Sequence, residues 1–152
     1  MAASQSPHVA RRTRWLSTLS KARFADLKTL WENLPKKPEW RRLKPPETGM
    51  VMVRGRIGGD GAPFNLGEMT VTRCVVQIVD GAVGVGYVAG RNAEHAELVA
   101  VIDGLGQNAL AERSVADGIV EPLALLQRRL DDAASRKAAA SRVEFFTLAR
   151  GE

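Results

Sequence analysis

Few residues in this chain can do chemistry at neutral pH. Its 152 residues include two histidines, His8 and His95, and one cysteine, Cys74. His95 stands in Glu94-His95-Ala96-Glu97, but carboxylates at these spacings point to different sides of a helix. A metal site needs converging ligands, and the i+4 position is Val99, so no metal site is expected. No second residue is placed to make His95 a catalytic base, and no catalytic set is expected. His95 reads as a histidine that anchors the first turn of a packed helix. Cys74 has no partner for an internal disulfide and fits a reducing compartment, which predicts a cytoplasmic protein.

Four arginines offer a different chemistry. Arg54 and Arg56 share one face of a predicted strand. Arg73 sits in mid-strand between Val71 and Val75, and a buried guanidinium there requires an anion or carbonyl partner. Arg91 stands where a strand gives way to a helix, whose N–H groups also favour anions. Together these side chains can hold a triphosphate or a phosphonate. The plainer reading pairs them with Asp60, Glu68 and Glu94. Glycine clusters at Gly58-Gly59-Asp60-Gly61 and at Gly84, Gly86 and Gly90 lack the lysine or the strand–turn–helix context of a phosphate-binding loop. Gly84 and Gly86 share a strand face and suit close approach by another backbone.

The elements that must position these residues are legible in outline. Residues 1–8 read as disordered. Apolar positions from Val9 to Leu34 recur at helical spacing, with Leu27 and Trp31 in the stripe, and Ser20 is a candidate cap for a second helix. Lys36 to Glu47, with Pro38, Pro45 and Pro46, reads as an extended linker. Met50–Ile57, Glu68–Val79 and Val83–Ala89 read as three strands, the last two joined by a turn at Asp80-Gly81. Valines on both faces of the second strand predict that both faces are covered, one by a helix of this chain and the other, for which the small domain lacks material, by a partner chain. Arg91–Leu110 reads as a helix, and Pro122 opens another that runs to about Ala140. The expected architecture is α+β: a short antiparallel meander of three strands packed with C-terminal helices. It divides into an N-terminal helical arm and linker at 1–47 and a core at 48–152.

Charge and tail point outward. Residues 1–49 carry a net +7 and residues 50–152 a net −2, within a total of +5. A basic arm attracts an acidic partner, nucleic acid or a phosphorylated ligand, and a basic nucleic-acid-binding domain is the alternative reading. Tyr87 is the only aromatic inside a predicted strand, which weighs against base stacking. No apolar run approaches the length of a membrane span. Phe145 and Phe146 stand side by side near the C-terminus, where tails are ordinarily polar. Such a tail needs burial, so Phe145, Phe146, Leu27 and Trp31 are the candidate docking residues.

An ordered set of short segments resembles one family. Arg56-Ile-Gly-Gly59, Phe64-x-x-Gly-Glu68, Thr70-Val-Thr-Arg-Cys74, Gly86-Tyr-Val-Ala-Gly-Arg91 and His95-Ala-Glu97 are similar to segments of the carbon–phosphorus lyase subunit PhnG family. The ending, from Arg142 to Gly151, is similar to that family's C-terminus. The likeness runs in order from Thr48 to Gly151. Asn92 departs from the family's usual Asp, and Asp103-Gly-Leu-Gly-Gln107 is richer in glycine than its usual form. The resemblance implies a required subunit acting with PhnH, PhnI and PhnL to transfer the ribose triphosphate of ATP to methylphosphonate, releasing adenine. It places catalysis on PhnI and later radical cleavage on PhnJ, within a symmetric core assembly. No cofactor is then expected on this chain, and ATP with Mg belongs to the complex. Arg73, Arg91, Arg56 and His95 are the anion- or interface-binding candidates.

Overall fold

The computed structural model describes residues 6–140. The chain runs α1 (Pro7–Lys21), α2 (Phe24–Glu32), β1 (Trp40–Arg56), β2 (Pro63–Ile78), β3 (Val83–Ala89), α3 (Ala93–Gly106), α4 (Glu112–Val115), a π-helical turn (Ala116–Val120) and α5 (Glu121–Ala140). This is an α+β fold. The three strands form one antiparallel sheet in the order β1-β2-β3.

The helices begin and end for local reasons. Ser6 caps α1 by accepting a hydrogen bond from the Val9 N–H, and Pro7 occupies the first turn, where its missing N–H costs nothing. The segment read as disordered therefore contributes its last residues to a helix. Two helices do follow, but Ser20 is not the cap. It lies inside α1 and its hydroxyl bonds the Ser17 carbonyl, while α2 starts after Arg23 without a side-chain cap. The π-helical turn stands just before Pro122. Proline cannot donate to the carbonyl four residues back and its ring crowds that group, so a wider turn is accommodated there.

The sheet is longer than the sequence implied. β1 begins at Trp40, so the second half of the expected linker is strand, and the boundary read at residue 47 falls inside it. Pro45 and Pro46 are accommodated at irregularities between Arg42 and Glu47, the setting in which a strand tolerates proline. β2 begins at Pro63, and β1 and β2 continue as a two-stranded ribbon beyond the last partner of β3, at Val71–Ala89. Gly58 and Gly59 take positive φ at the ribbon's tip, which glycine does without steric cost.

One face of the sheet is covered and the other is not. Thr72, Cys74, Val76 and Ile78 of β2, with Gly84, Gly86 and Val88 of β3, face α3 and are buried. A Cβ at Gly84 would overlap the Ala100 carbonyl oxygen, and one at Gly86 the Ala96 carbonyl oxygen. The glycines thus let β3 and α3 pack backbone to backbone, as their shared face suggested. α3 is buried nearly all round, with Ala96, Val99, Ala100, Val101 and Ile102 at 0% exposure. A helix apolar on every side belongs between layers. The sheet lies on one side of it, and α1 and α4 pack against it elsewhere. Leu19, Leu27, Trp31, Leu34, Val115, Ile119 and Leu123 complete the same core.

Candidate functional site

The opposite sheet face is open. Val75, Gln77, Val83, Val85 and Tyr87 point away from α3, and none of them is buried. A helix covers one face, as expected, and within the described residues the other face is left without cover. Valine on both sides of β2 signals a need for cover, and the described residues supply it to one side only. Across the face, Arg73 lies opposite Tyr87 on β3 and Glu47 on β1. A hollow of about 340 Å³ lies beside them, between Val51, Val71 and Tyr87, where Gly49 contributes no side chain. Val71 is buried at this point. Along the ribbon, Met50, Met52, Ile57, Phe64, Leu66 and Met69 are also exposed.

The candidate arginines do not converge. Arg73 was expected to be buried, yet its side chain is 63% exposed, and its Nη2 meets Glu47 Oε2 at 3.3 Å. β2 alternates strictly here, and Arg73 falls on the open side. Arg56 is at the far end of the ribbon, paired with Pro63, ten residues from Arg73 along β2. At about 3.3 Å per residue this is roughly 33 Å. Arg56 donates to the Gly61 carbonyl and so braces the ribbon's tip. Arg91 is exposed in the bend before α3, and Arg54 is exposed on the ribbon. One phosphate cluster held by all four is excluded by this spacing. The expected pairing with Asp60, Glu68 and Glu94 is also replaced, at Arg73, by Glu47.

His95 is 6% exposed. Its backbone N–H donates to Asn92 Oδ1, which caps α3. Its ring lies 5.8 Å from the Phe24 ring. Nε2 is 3.0 Å from the Leu19 carbonyl oxygen. A carbonyl only accepts, so this contact needs the proton on Nε2. The imidazole thereby ties α3 to the end of α1. Leu27 at 0% and Trp31 at 8% exposure lie in the chain's own core and are not free to dock. The apolar stripe that suggested docking is what attaches the helical arm to the rest of the fold. Phe145 and Phe146 lie outside the described residues.

Two carboxylate centres were not anticipated. Asp103 takes a bidentate grip from Arg12, at 2.9 Å to Nε and 2.8 Å to Nη2. Its Oδ2 also accepts the Val85 N–H at 2.9 Å, on the outer edge of β3. One carboxylate so joins α1, α3 and β3. Glu97 is held by Arg42 through two bonds of 2.8 Å and by the Trp40 indole N–H at 3.0 Å. The Arg42 hydrogen bonds outweigh the opposing effect of burial and hold the Glu97 carboxyl below the ordinary glutamate range. Asp103 stands as a charge in the apolar second half of α3, a signal that does not name its partner. Burial pushes the Cys74 thiol up, with the Glu97 charge adding to it, and its Sγ donates to the Lys44 carbonyl. A buried thiol of raised pKa is a poor nucleophile.

Among the described residues no group of three or more His, Cys, Asp or Glu side chains is placed to hold a metal ion. No described helix is long and apolar enough to cross a membrane. What the site offers is contact area: an apolar sheet face with one exposed ion pair and a projecting ribbon. Comparison with known proteins agrees with a subunit. The profile described as phosphonate metabolism protein PhnG matches residues 10–151. The chain is 43% identical over 152 residues to the alpha-D-ribose 1-methylphosphonate 5-triphosphate synthase subunit PhnG of Rhizobium meliloti (strain 1021). That alignment covers 98% of this chain and 95% of the relative. The N-terminal helices lie almost wholly within both matches, so the likeness extends beyond the motifs between Thr48 and Gly151. The chain belongs to the PhnG family of phosphonate metabolism proteins.

Proposed function

We propose that this chain is a non-catalytic, required subunit of a ribose 1-methylphosphonate 5-triphosphate synthase. It acts with PhnH-, PhnI- and PhnL-type partners, and with PhnJ in a larger symmetric core, in a cytoplasmic phosphonate pathway. The reaction moves the ribose triphosphate of ATP onto methylphosphonate and releases adenine. ATP and its Mg are held by the assembly, and the chemistry belongs to a PhnI-type chain. This chain's contribution is to complete and position that assembly.

The observation that carries this reading is the uncovered sheet face. Valines and a tyrosine line it, and the described chain has no layer left to cover it. Monomeric proteins rarely leave large contiguous apolar surfaces in water. The residues with chemical potential are meanwhile committed to structure: His95 to Leu19, Asp103 to Arg12, and Glu97 to Arg42.

The test is assembly of the co-expressed subunits with Val85→Asp and Tyr87→Asp. Both side chains are already exposed, so the isolated fold tolerates them. We expect loss of the chain from the purified complex, and loss of adenine release with it. Unchanged assembly with both substitutions together would sink the docking role of this face. Turnover of ATP and methylphosphonate by the purified single chain would overturn the non-catalytic assignment. Salt-dependent retention of the isolated chain on nucleic acid would favour the alternative basic binding domain.

A further inference from the structure

A second surface lies among the helices, lined by none of the residues of the open sheet face. Two connected hollows, of about 480 and 610 Å³, run between the end of α2 with its following segment and the turn after α3. Leu34, Pro35, Leu110 and Ser114 line both, so they form one groove. Leu30 and Leu105 extend its apolar lining. Leu110 stands on the rim at 93% exposure, the most exposed large apolar side chain among the described residues. Its N–H is held by Asn108 Oδ1 at 2.8 Å, which sets the turn that presents it. A leucine fixed in water above an apolar groove has contact to gain only when something lies under it.

The charges of the lining identify that occupant. Lys36 and Lys37 stand on one wall and Arg113 on the other, with Asp117 the only acid. Asp117 is already engaged by Arg113 at 3.4 Å. Lys37 Nζ meets the Glu32 carbonyl at 3.1 Å, an uncharged acceptor, so its charge is not neutralised there. The groove therefore has an apolar floor and an excess of positive charge at its rim. We infer that it receives an amphipathic segment of a partner protein, with leucine- or phenylalanine-type anchors flanked by carboxylates. This deepens the subunit reading and rests on it. A basic segment would meet like charge at the rim. A second copy of this chain is a poorer fit: the exposed Leu125, Leu126 and Leu130 of α5 and its acids Asp131 and Asp132 are set among Arg128, Arg129, Arg136 and Lys137, which would bring like charge to the rim.

The experiment uses the full chain and a labelled helical peptide of Leu, Ala and Glu, with leucines at i, i+3, i+4 and i+7. The control peptide carries Lys in place of Glu. Fluorescence anisotropy should show saturable binding of the acidic peptide, weakened by at least about tenfold in Leu110→Asp. Lys36→Glu and a rise from about 50 to about 300 mM salt should each weaken it several-fold, as screening requires. The basic peptide should bind at least about tenfold more weakly. Leu110 is too exposed for its replacement to disturb the fold, so loss of binding reports on the groove. No saturable binding, binding indifferent to Leu110→Asp, or equal binding of both peptides would overturn the inference. The assay does not depend on assembly. The subunit reading fails separately, through Val85→Asp and Tyr87→Asp, which leave this groove intact.

Discussion

Removing the Arg12 guanidinium tests the central joint of the fold. In Arg12→Met the aliphatic stem is retained and the charge is lost. Asp103, whose side chain is 2% exposed, would keep only the Val85 N–H as a described partner. Breaking one side of a buried pair costs about 3–5 kcal/mol. Arg12 is itself 35% exposed, so water already screens part of the attraction. The cost is therefore reduced to or below the lower bound of that range, and we expect about 2–3 kcal/mol. For a chain of this length each kcal/mol moves the melting temperature by about 2–4 °C, which places the shift at about 4–12 °C. Denaturant unfolding followed by tryptophan fluorescence is suitable, because Trp15 packs against Gly106 beside this joint. Adding Asp103→Asn should recover part of the loss, since its amide oxygen still accepts from Val85 and no buried charge remains. The reasoning is refuted if Arg12→Met costs under about 0.5 kcal/mol, the range of an ordinary surface change, or if the second substitution only adds to the damage.

Glu97 should make stability depend on pH. Its folded pKa is depressed, so its contribution is present above the unfolded glutamate value of about 4.3 and is lost as pH falls through the folded value. Unfolding free energy measured from pH 6 to pH 3 should drop more steeply in the native chain than in Glu97→Gln, and parallel curves would refute this. Gly86→Val should prevent close packing of β3 on α3 and cost at least about 1–3 kcal/mol, read as lost soluble folded protein; normal stability would mean that the backbones are not in contact. Arg73→Ala should change stability by less than about 1 kcal/mol, because its pair with Glu47 is exposed. A larger loss in the isolated chain would contradict the open face. His95→Gln should lower stability by about 1–3 kcal/mol while adenine release per mole of assembled complex stays nearly intact. A loss of turnover beyond about a hundredfold, with normal assembly, would make His95 a catalytic residue.

Local signals in the chain were read well where they act locally. The third strand has the bounds its valines and glycines imply, Val83–Ala89, and Asp80 takes the positive φ expected of a turn before Gly81. The paired glycines Gly84 and Gly86 announced a close backbone approach, and α3 makes it. Prolines misled. Pro45 and Pro46 argued for a linker, but strand irregularities absorb them, and pairing with β2 outweighs the local preference.

By itself, the sequence determined the element types, the α+β class and the family, because periodicity, turn chemistry and ordered motifs are written over short spans. It could not decide which face of the sheet is covered. Alternation reveals the covered side only when the other side is polar, and here valine lies on both. The same ambiguity made Arg73 look buried, while the apolar stripe of α2 does not say whether Leu27 and Trp31 pack on their own core or on a partner. Only the tertiary structure joined Arg12 to Asp103, 91 residues apart, and Arg42 to Glu97, 55 residues apart. No local pattern specifies such pairs, since each charge has many possible partners until packing brings one within reach and removes the water between them.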